Sequence, residues 1–469
     1  ALAGGWPRAR RPRALRRHTE ERLLVRRALK AWMNGELVGT WSVDRESHTF
    51  RYEPAWLASP RRRSLSLSLP ITTALEVQGE AVRNYFDNLL PDNERIRARL
   101  GQRFGLRSTK VFDLLQAIGR DCVGAVQLLP DGAMPEGWDR VNCEPLADEQ
   151  VAELLRAVPT ESTPERLRDR DLLRISLAGA QEKTALTRVD GRWCRPHGAT
   201  PTTHILKLPL GLIGGSRRVD ASDSIHNEWL CARIVGALGL PVAPTAIETF
   251  GDQKVLAVER FDREWMAGAN GERWIARLPQ EDFCQAMALP PERKYEQHGG
   301  PGMTRCLQLL QGSRSRDDGT LFLLAQLAFF LLAATDGHAK NFSIHLQRGD
   351  AYEMTPLYDV LSMWPYFGNG ASQFQPRRAE LAMAVRSKNA HYALHTIQAR
   401  HWWGLAMRNG GDDTWRAMLA MVETLHEALA EVEAALPADF PARTWEAVSR
   451  GVRAEARRFL SGVAPAATR

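Results

Sequence analysis

The sequence predicts an α+β protein, with strands gathered in its first half and an all-helical C-terminal lobe. Short apolar segments of strand length recur before Asp262, whereas stretches of helical periodicity follow Phe283. The length of 469 residues exceeds what one ordinary core holds, so two or three domains are expected.

The strand-rich part opens at Leu29. Ala31-Trp32-Met33 and Glu36-Leu37-Val38 flank Asn34-Gly35, a dipeptide suited to the positive φ angles of a two-residue hairpin. Trp41 to Tyr52 continues as strand, and Leu65, Leu67 and Leu69 alternate with serines as in a half-buried strand. Helices are predicted at about 78–90, 94–103 and 110–119, then a strand from Ala125 to Leu129. Residues 130–150, rich in Pro, Gly and Asp, read as a surface connection. Further strands are expected on both sides of Gly179, at His204 to Pro209 and at Val255 to Asp262; a helix from Ser222 to Leu238 ends at Gly239-Leu240-Pro241. Helices are expected at about 303–311, 319–334, 414–436 and 441–460. The divisions are a basic extension, disordered, over 1–28; a β-rich subdomain over 29–135; an α/β unit over 136–262; and a helical lobe over 263–469.

A hydrophobic content of 44% and a charged content of 25% are those of a water-soluble globular chain. The apolar run from Leu321 to Ala334 is interrupted by Gln326 and too short to span a bilayer, so it reads as a core helix and no membrane is expected. Cys122, Cys143, Cys194, Cys231, Cys284 and Cys306 lie far apart, which predicts neither structural zinc nor a disulfide framework and fits a reducing cytoplasm. The net charge is +7, yet residues 1–30 carry nine Arg and one Lys against two Glu, so the remainder is close to neutral. That arm suits nucleic acid, targeting, or an extension without function, and the last reading is favoured.

The stretch most suggestive of chemistry is Ala334-Thr335-Asp336-Gly337-His338-Ala339-Lys340-Asn341. An acid and an amide five positions apart match the spacing by which kinases place a catalytic Asp and a metal-binding Asn; the same residues also make ordinary turns. Around Gly179, backbone N–H groups and Lys183 suit a phosphate, or the segment is a plain bend. Lys207, in an apolar strand, needs an anion, and Glu228 on the following helix is a candidate; an edge-strand lysine is the alternative. Glu259-Arg260-Phe261 ends a strand where a hinge would meet adenine, or simply leaves the sheet. Asp359 suits magnesium or a helix N-cap. Their order along the chain is the one a kinase requires.

With Ser64 to Pro70, Phe86 to Asp92, Ile175 to Leu186, Thr203 to Pro209, Val258 to Arg263, Leu278 to Asp282 and Thr335 to Phe342 in view, the chain resembles the HipA-type serine/threonine kinase toxins of bacterial toxin–antitoxin systems, from about Trp32 to about Leu460. The resemblance implies a two-lobed protein-kinase-like fold. It implies Asp336 as the catalytic acid, Asn341 and Asp359 as magnesium ligands, and Lys207 on the phosphates of ATP. Ala178, Gly179, Ala180, Gln181, Glu182 and Lys183 would form the phosphate loop; Glu259, Arg260 and Phe261 the adenine hinge; and His338, Ala339, Lys340, Asn341, Tyr358 and Asp359 further nucleotide contacts. Ser176 would be the autophosphorylation site whose modification ejects the loop and inactivates the kinase. The implied substrate is an aminoacyl-tRNA synthetase, notably glutamate–tRNA ligase, with arrested translation and dormancy as the result. The implied partners are a helix-turn-helix antitoxin and, through it, operator DNA, with a cytoplasmic location that becomes nucleoid-associated in that complex. Arg61 to Arg63, Arg377, Arg378 and Arg400 suit phosphate contacts or a solvated face. Two other readings stay open: a catalytically silent nucleotide-binding corepressor, against which the intact Asp336, Asn341 and Lys207 argue, and a kinase of small metabolites.

Overall fold

The computed structural model describes residues 27–160, 181–268 and 271–463, together with the backbone of Ile175 and Ser176. Its first unit is an antiparallel sheet of five strands in the order Glu76–Gln78, Ser47–Tyr52, Glu36–Asp44, Arg27–Met33, Gln127–Pro130. The first strand pairs Arg27 with Val43, two residues before the expected start of the strand-rich part. The predicted hairpin turns at Asn34 and Gly35, with φ of 44° and 80°. Beneath the sheet, Trp41 stacks on Phe86 from the helix Glu80–Asp87, with ring centroids 4.0 Å apart.

The segment around Leu65, Leu67 and Leu69 is not the expected strand; it is a chain of turns with one bridge between Ser66 and Leu69. Its backbone groups bond to side chains instead of a neighbouring strand. The Tyr52 hydroxyl accepts from Leu65 N–H at 2.8 Å and donates to the Leu69 carbonyl, while Ser64 Oγ accepts from Ile71 N–H at 3.0 Å. Glu281 Oε1 accepts from Leu67 N–H at 2.8 Å, fastening the segment to the C-terminal half.

The second sheet runs Thr245–Phe250, Gln253–Glu259, His204–Lys207, Lys183–Val189, Arg192–Pro196, Cys143–Pro145, again antiparallel throughout. The expected surface connection therefore contributes an edge strand, and the helix Asp148–Ala157 begins at its end. The helix Ser224–Ala237 packs against the strands Thr245–Phe250 and Gln253–Glu259.

Helices form the bulk of the C-terminal lobe: Met303–Leu310, Asp318–Leu331, Ala399–Asn409, Gly411–Glu423, Leu425–Ala434 and Ala442–Ser461. Asp318–Leu331 is apolar around most of its circumference because neighbours enclose it, and Phe322, Phe329 and Phe330 are buried on it. The single helix expected over 414–436 divides at Thr424, whose Oγ1 donates back to the Ala420 carbonyl at 3.0 Å, a bond that bends helices. Short strands are set among the helices, so the lobe is not helical alone. Gln280–Asp282, Ser343–Leu346 and Tyr352–Met354 form one sheet, and Arg263–Ala267 with Arg273–Arg277 and Glu380–Arg386 with Ala390–Ala393 form hairpins. Among the described residues, no helix is long and apolar enough to cross a membrane.

Candidate active site

Lys207 lies on an inner strand of the second sheet, between Lys183 and Leu256. Its ammonium is 2.5 Å from Glu228 Oε1 and 2.8 Å from Asp359 Oδ1. Burial disfavours that charge, but the flanking carboxylates outweigh it and hold the lysine above its ordinary range. The sequence pairing of Lys207 with Glu228 is thus realised. Lys183, on the adjacent strand, is pushed down to about 8 by burial and by the charge of Lys207. Burial acts to raise Asp359, yet Lys207 and Lys183 keep it well below the usual carboxylate range. Asp359 is no helix N-cap; it adopts a φ of 62°, a left-handed conformation that Asp tolerates better than most side chains.

The loop carrying Asp336 begins where the helix Asp318–Leu331 ends. Gly337 is required there, since a Cβ would collide with the Phe329 ring. His338 N–H donates to the Asp336 carbonyl at 2.7 Å, Asn341 N–H donates to the His338 carbonyl at 2.9 Å, and the short turn Ala339–Asn341 closes the loop. The Asn341 side-chain N–H₂ donates to the Asp336 carbonyl at 2.8 Å, which leaves its amide oxygen as the group free to meet a cation. The Asp336 side chain is 63% exposed. The walls of the cleft raise its carboxyl above the ordinary value, opposed by a hydrogen bond from the Tyr295 hydroxyl. His338 is pushed down to about 3 by burial and by the nearby Lys294, so it is neutral.

Two expected contact residues direct their charges elsewhere. Lys340 Nζ donates to the Asn88 carbonyl at 3.0 Å and to Asn88 Oδ1 at 2.8 Å, and lies 3.3 Å from Asp282 and 3.6 Å from Asp92. Its ammonium thus tethers the loop to the N-terminal unit. Arg260 is committed to a buried ion cluster in which Asp121 also pairs with Arg263 and Arg277, and Asp262 with Arg260 and Arg263. Its N–H donates to the Thr203 carbonyl and that of Glu259 to the Pro244 carbonyl, both at 2.9 Å, so neither N–H is available to a base. The Phe261 ring does line the cleft, 5.7 Å from the Tyr358 ring. The Tyr358 hydroxyl donates to the Lys340 carbonyl at 2.8 Å.

Gln181 Nε2 donates to the Leu208 carbonyl at 2.5 Å, and the Glu182 carboxylate accepts from Arg99. Ala178, Gly179 and Ala180 lie outside the described residues. The short strand Ile175–Ser176 pairs in parallel with Asp121–Cys122, which sets Ser176 beside Cys122. Among the other basic candidates, Arg61 pairs with Glu36 at 2.5 Å and Arg63 donates to the Leu346 carbonyl at 3.0 Å; Arg377 and Arg378 sit on an exposed turn.

Lys183, Lys207, Asp336, Asn341 and Asp359 converge on one cleft of about 1040 Å³, counting its open mouth. Ile205, Val258 and Phe261 give it an apolar wall. Such a cleft suits a flat ring against its apolar wall and an anion near the lysines. The donor set of one amide oxygen and one carboxylate fits magnesium, which binds protein through one or two oxygen ligands and keeps water and phosphate for the rest. No group of three or more His, Cys, Asp or Glu able to hold a metal occurs among the described residues. Sequence reasoning missed Tyr295, which touches Asp336 from 41 residues upstream; its neighbours carry no periodicity or motif that would mark it.

Two family models match the chain: the HipA-like C-terminal domain over residues 175–436 and the HipA N-terminal domain over residues 29–129. The protein Y4mE of Sinorhizobium fredii is 36% identical over 351 residues, covering 72% of this chain and 78% of its own. The serine/threonine-protein kinase toxin HipA of Shewanella oneidensis is 27% identical over 368 residues, covering 74% and 76% respectively. Among solved structures, a chain from the complex of Shewanella oneidensis HipA, HipB and operator DNA superposes with a TM-score of 0.74 at 25% identity, covering 92% of this chain and 97% of that one.

Proposed function

The chain belongs to the HipA family of kinase toxins, and from that premise we propose that it transfers the γ-phosphate of ATP to a serine or threonine hydroxyl of a protein needed for translation. An aminoacyl-tRNA synthetase, such as glutamate–tRNA ligase, is the proposed substrate class. The observation that supports this reading best is the convergence of Lys207, Asp359, Asn341 and Asp336 on one cleft.

In this reading Asp336 orients the acceptor hydroxyl and takes its proton; its exposure leaves the carboxylate within reach of a protein substrate. Lys207, held charged by Glu228 and Asp359, steadies the negative charge of the phosphates. Asn341 and Asp359 would hold magnesium, which when bound neutralises charge on the transferring group. Lys183 and the residues before it would embrace the phosphates, and Phe261 would flank the adenine. Ser176 is the proposed autophosphorylation site: a phosphate there would add roughly two negative charges next to a loop that receives phosphate, and repulsion, or a new pairing with an arginine, would reorganise it. A helix-turn-helix antitoxin, and operator DNA through it, are the proposed partners, supported by the HipB and DNA in the complex of the related structure.

Incubation with labelled ATP and magnesium, with and without purified aminoacyl-tRNA synthetases, tests the proposal. The protein should label a synthetase and itself, Asp336→Asn should label neither, and Ser176→Ala should label only the synthetase. Equal labelling by the protein and Asp336→Asn would end the catalytic assignment.

A further inference from the structure

The Tyr295 hydroxyl donates to Asp336 Oδ1, one of the two oxygens that an acceptor hydroxyl would approach. The tyrosine is fastened from several sides. Its carbonyl accepts from His298 N–H at 3.0 Å and from Gly300 N–H at 2.9 Å. At Gly300 a Cβ would collide with the carbonyls of Arg293 and Tyr295, so the turn accepts only glycine in this conformation. On the N-terminal side, the Lys294 ammonium is 2.8 Å from Asp92, and the Lys294 carbonyl accepts from Ala339 N–H at 3.2 Å, tying this segment to the catalytic loop itself. On the C-terminal side, the Glu296 carboxylate accepts from Ala384 N–H at 2.7 Å and from Arg386 Nε at 3.0 Å. The Tyr295 ring meets the His338 ring edge-on, at 4.9 Å and 86°.

These contacts fix the backbone that carries Tyr295, while the ring rests on His338 with its hydroxyl at Asp336. We propose that Tyr295 is a positioning residue for phosphoryl transfer, occupying Asp336 Oδ1 so that Oδ2 is the oxygen presented to the acceptor hydroxyl. The inference rests on the reading of Asp336 as the group that receives the hydroxyl. Without the phenol, the exposed carboxylate is free to rotate about χ2, and fewer encounters begin in a reactive geometry. Nucleotide binding does not pass through this contact, because Lys207, Asn341 and Asp359 keep their own partners.

Tyr295→Phe retains the ring against His338 and removes only the hydroxyl. With a labelled synthetase or self-labelling as readout, kcat should fall tenfold or more while KM for ATP and the affinity for a non-hydrolysable ATP analogue stay within twofold. A kcat within twofold of the unaltered protein, a higher kcat, or a loss accompanied by an equal loss of nucleotide affinity would each overturn the proposal. If the unaltered protein transfers no phosphate, the reading of Asp336 fails instead. Thermal unfolding of the variant separates the effect from misfolding, and should a destabilised Tyr295→Phe obscure the rates, single-turnover measurements well below its melting temperature make the same comparison.

Discussion

Glu281 offers a test of how the N-terminal unit is joined to the C-terminal lobe. It is fully buried; Oε1 accepts from Leu67 N–H at 2.8 Å, and Oε2 has no hydrogen-bond partner. Burial pushes its carboxyl from an ordinary 4.5 up to about 8. A carboxyl raised on folding takes up a proton when the chain folds, so stability falls as pH rises between those two values. The penalty is absent below 4.5 and complete above about 8. At about 1.4 kcal/mol per pH unit, the charge costs about 2 kcal/mol at about pH 6 and about 5 kcal/mol at about pH 9. Glu281→Gln keeps an acceptor for Leu67 and carries no titrating proton, so it escapes this cost at every pH. Its stability relative to the unaltered protein should therefore improve by about 3 kcal/mol between about pH 6 and about pH 9, a shift of several degrees in Tm. Comparing the two proteins by calorimetry at both pH values cancels the titration of all other groups. A Tm gap of the same size at both would refute a buried, titrating Glu281.

Two further outcomes follow from buried polar contacts. Lys207→Met leaves Glu228 buried without its cation, which should cost about 3–5 kcal/mol, and adding Glu228→Gln should recover the Tm without recovering phosphoryl transfer. Asn34→Ala removes both bonds to the Arg277 backbone, 2.8 Å from Nδ2 to the carbonyl and 2.9 Å from the N–H to Oδ1; Tm should fall by the equivalent of about 1–3 kcal/mol, with ATP-analogue affinity unchanged.

What could be read from the sequence was set by local chemistry. The Asn34-Gly35 hairpin was legible because its turn depends on two adjacent residues. Lys207 and Glu228 were legible because an apolar strand strands a charge that the next helix can meet. The serine and leucine alternation at Leu65 misled because period two marks a strand only when a neighbouring strand takes its hydrogen bonds. Here Tyr52 and Glu281 take them. Lys340 and Arg260 sit within stretches whose spacing suits a nucleotide, yet spacing says nothing of side-chain direction. Asn88 and Asp121, remote in sequence, decide that direction. The same remoteness hid Tyr295.

Those remote contacts give a physical role to segments whose chemistry spacing alone left unread. From Phe86 to Asp92, Asn88 Nδ2 donates to the Leu289 carbonyl at 2.8 Å, while its Oδ1 and carbonyl accept from Lys340. Asn84 Nδ2 donates to the Ala288 carbonyl at 2.9 Å, and Gln285 Nε2 donates to the Tyr85 carbonyl at 3.1 Å. Asp92 lies within ion-pair distance of both Lys294 and Lys340, the first beside Tyr295 and the second one residue before Asn341. One carboxylate of the N-terminal unit thus anchors both chain segments that frame Asp336. Leu67, through Glu281, adds a third fastening on the strand that carries the Lys340 partner Asp282. The geometry around Asp336 therefore depends on the N-terminal unit as well as on the C-terminal lobe that carries it, because Lys294 pairs with Asp92 and Lys340 lies between Asp92 of the one and Asp282 of the other.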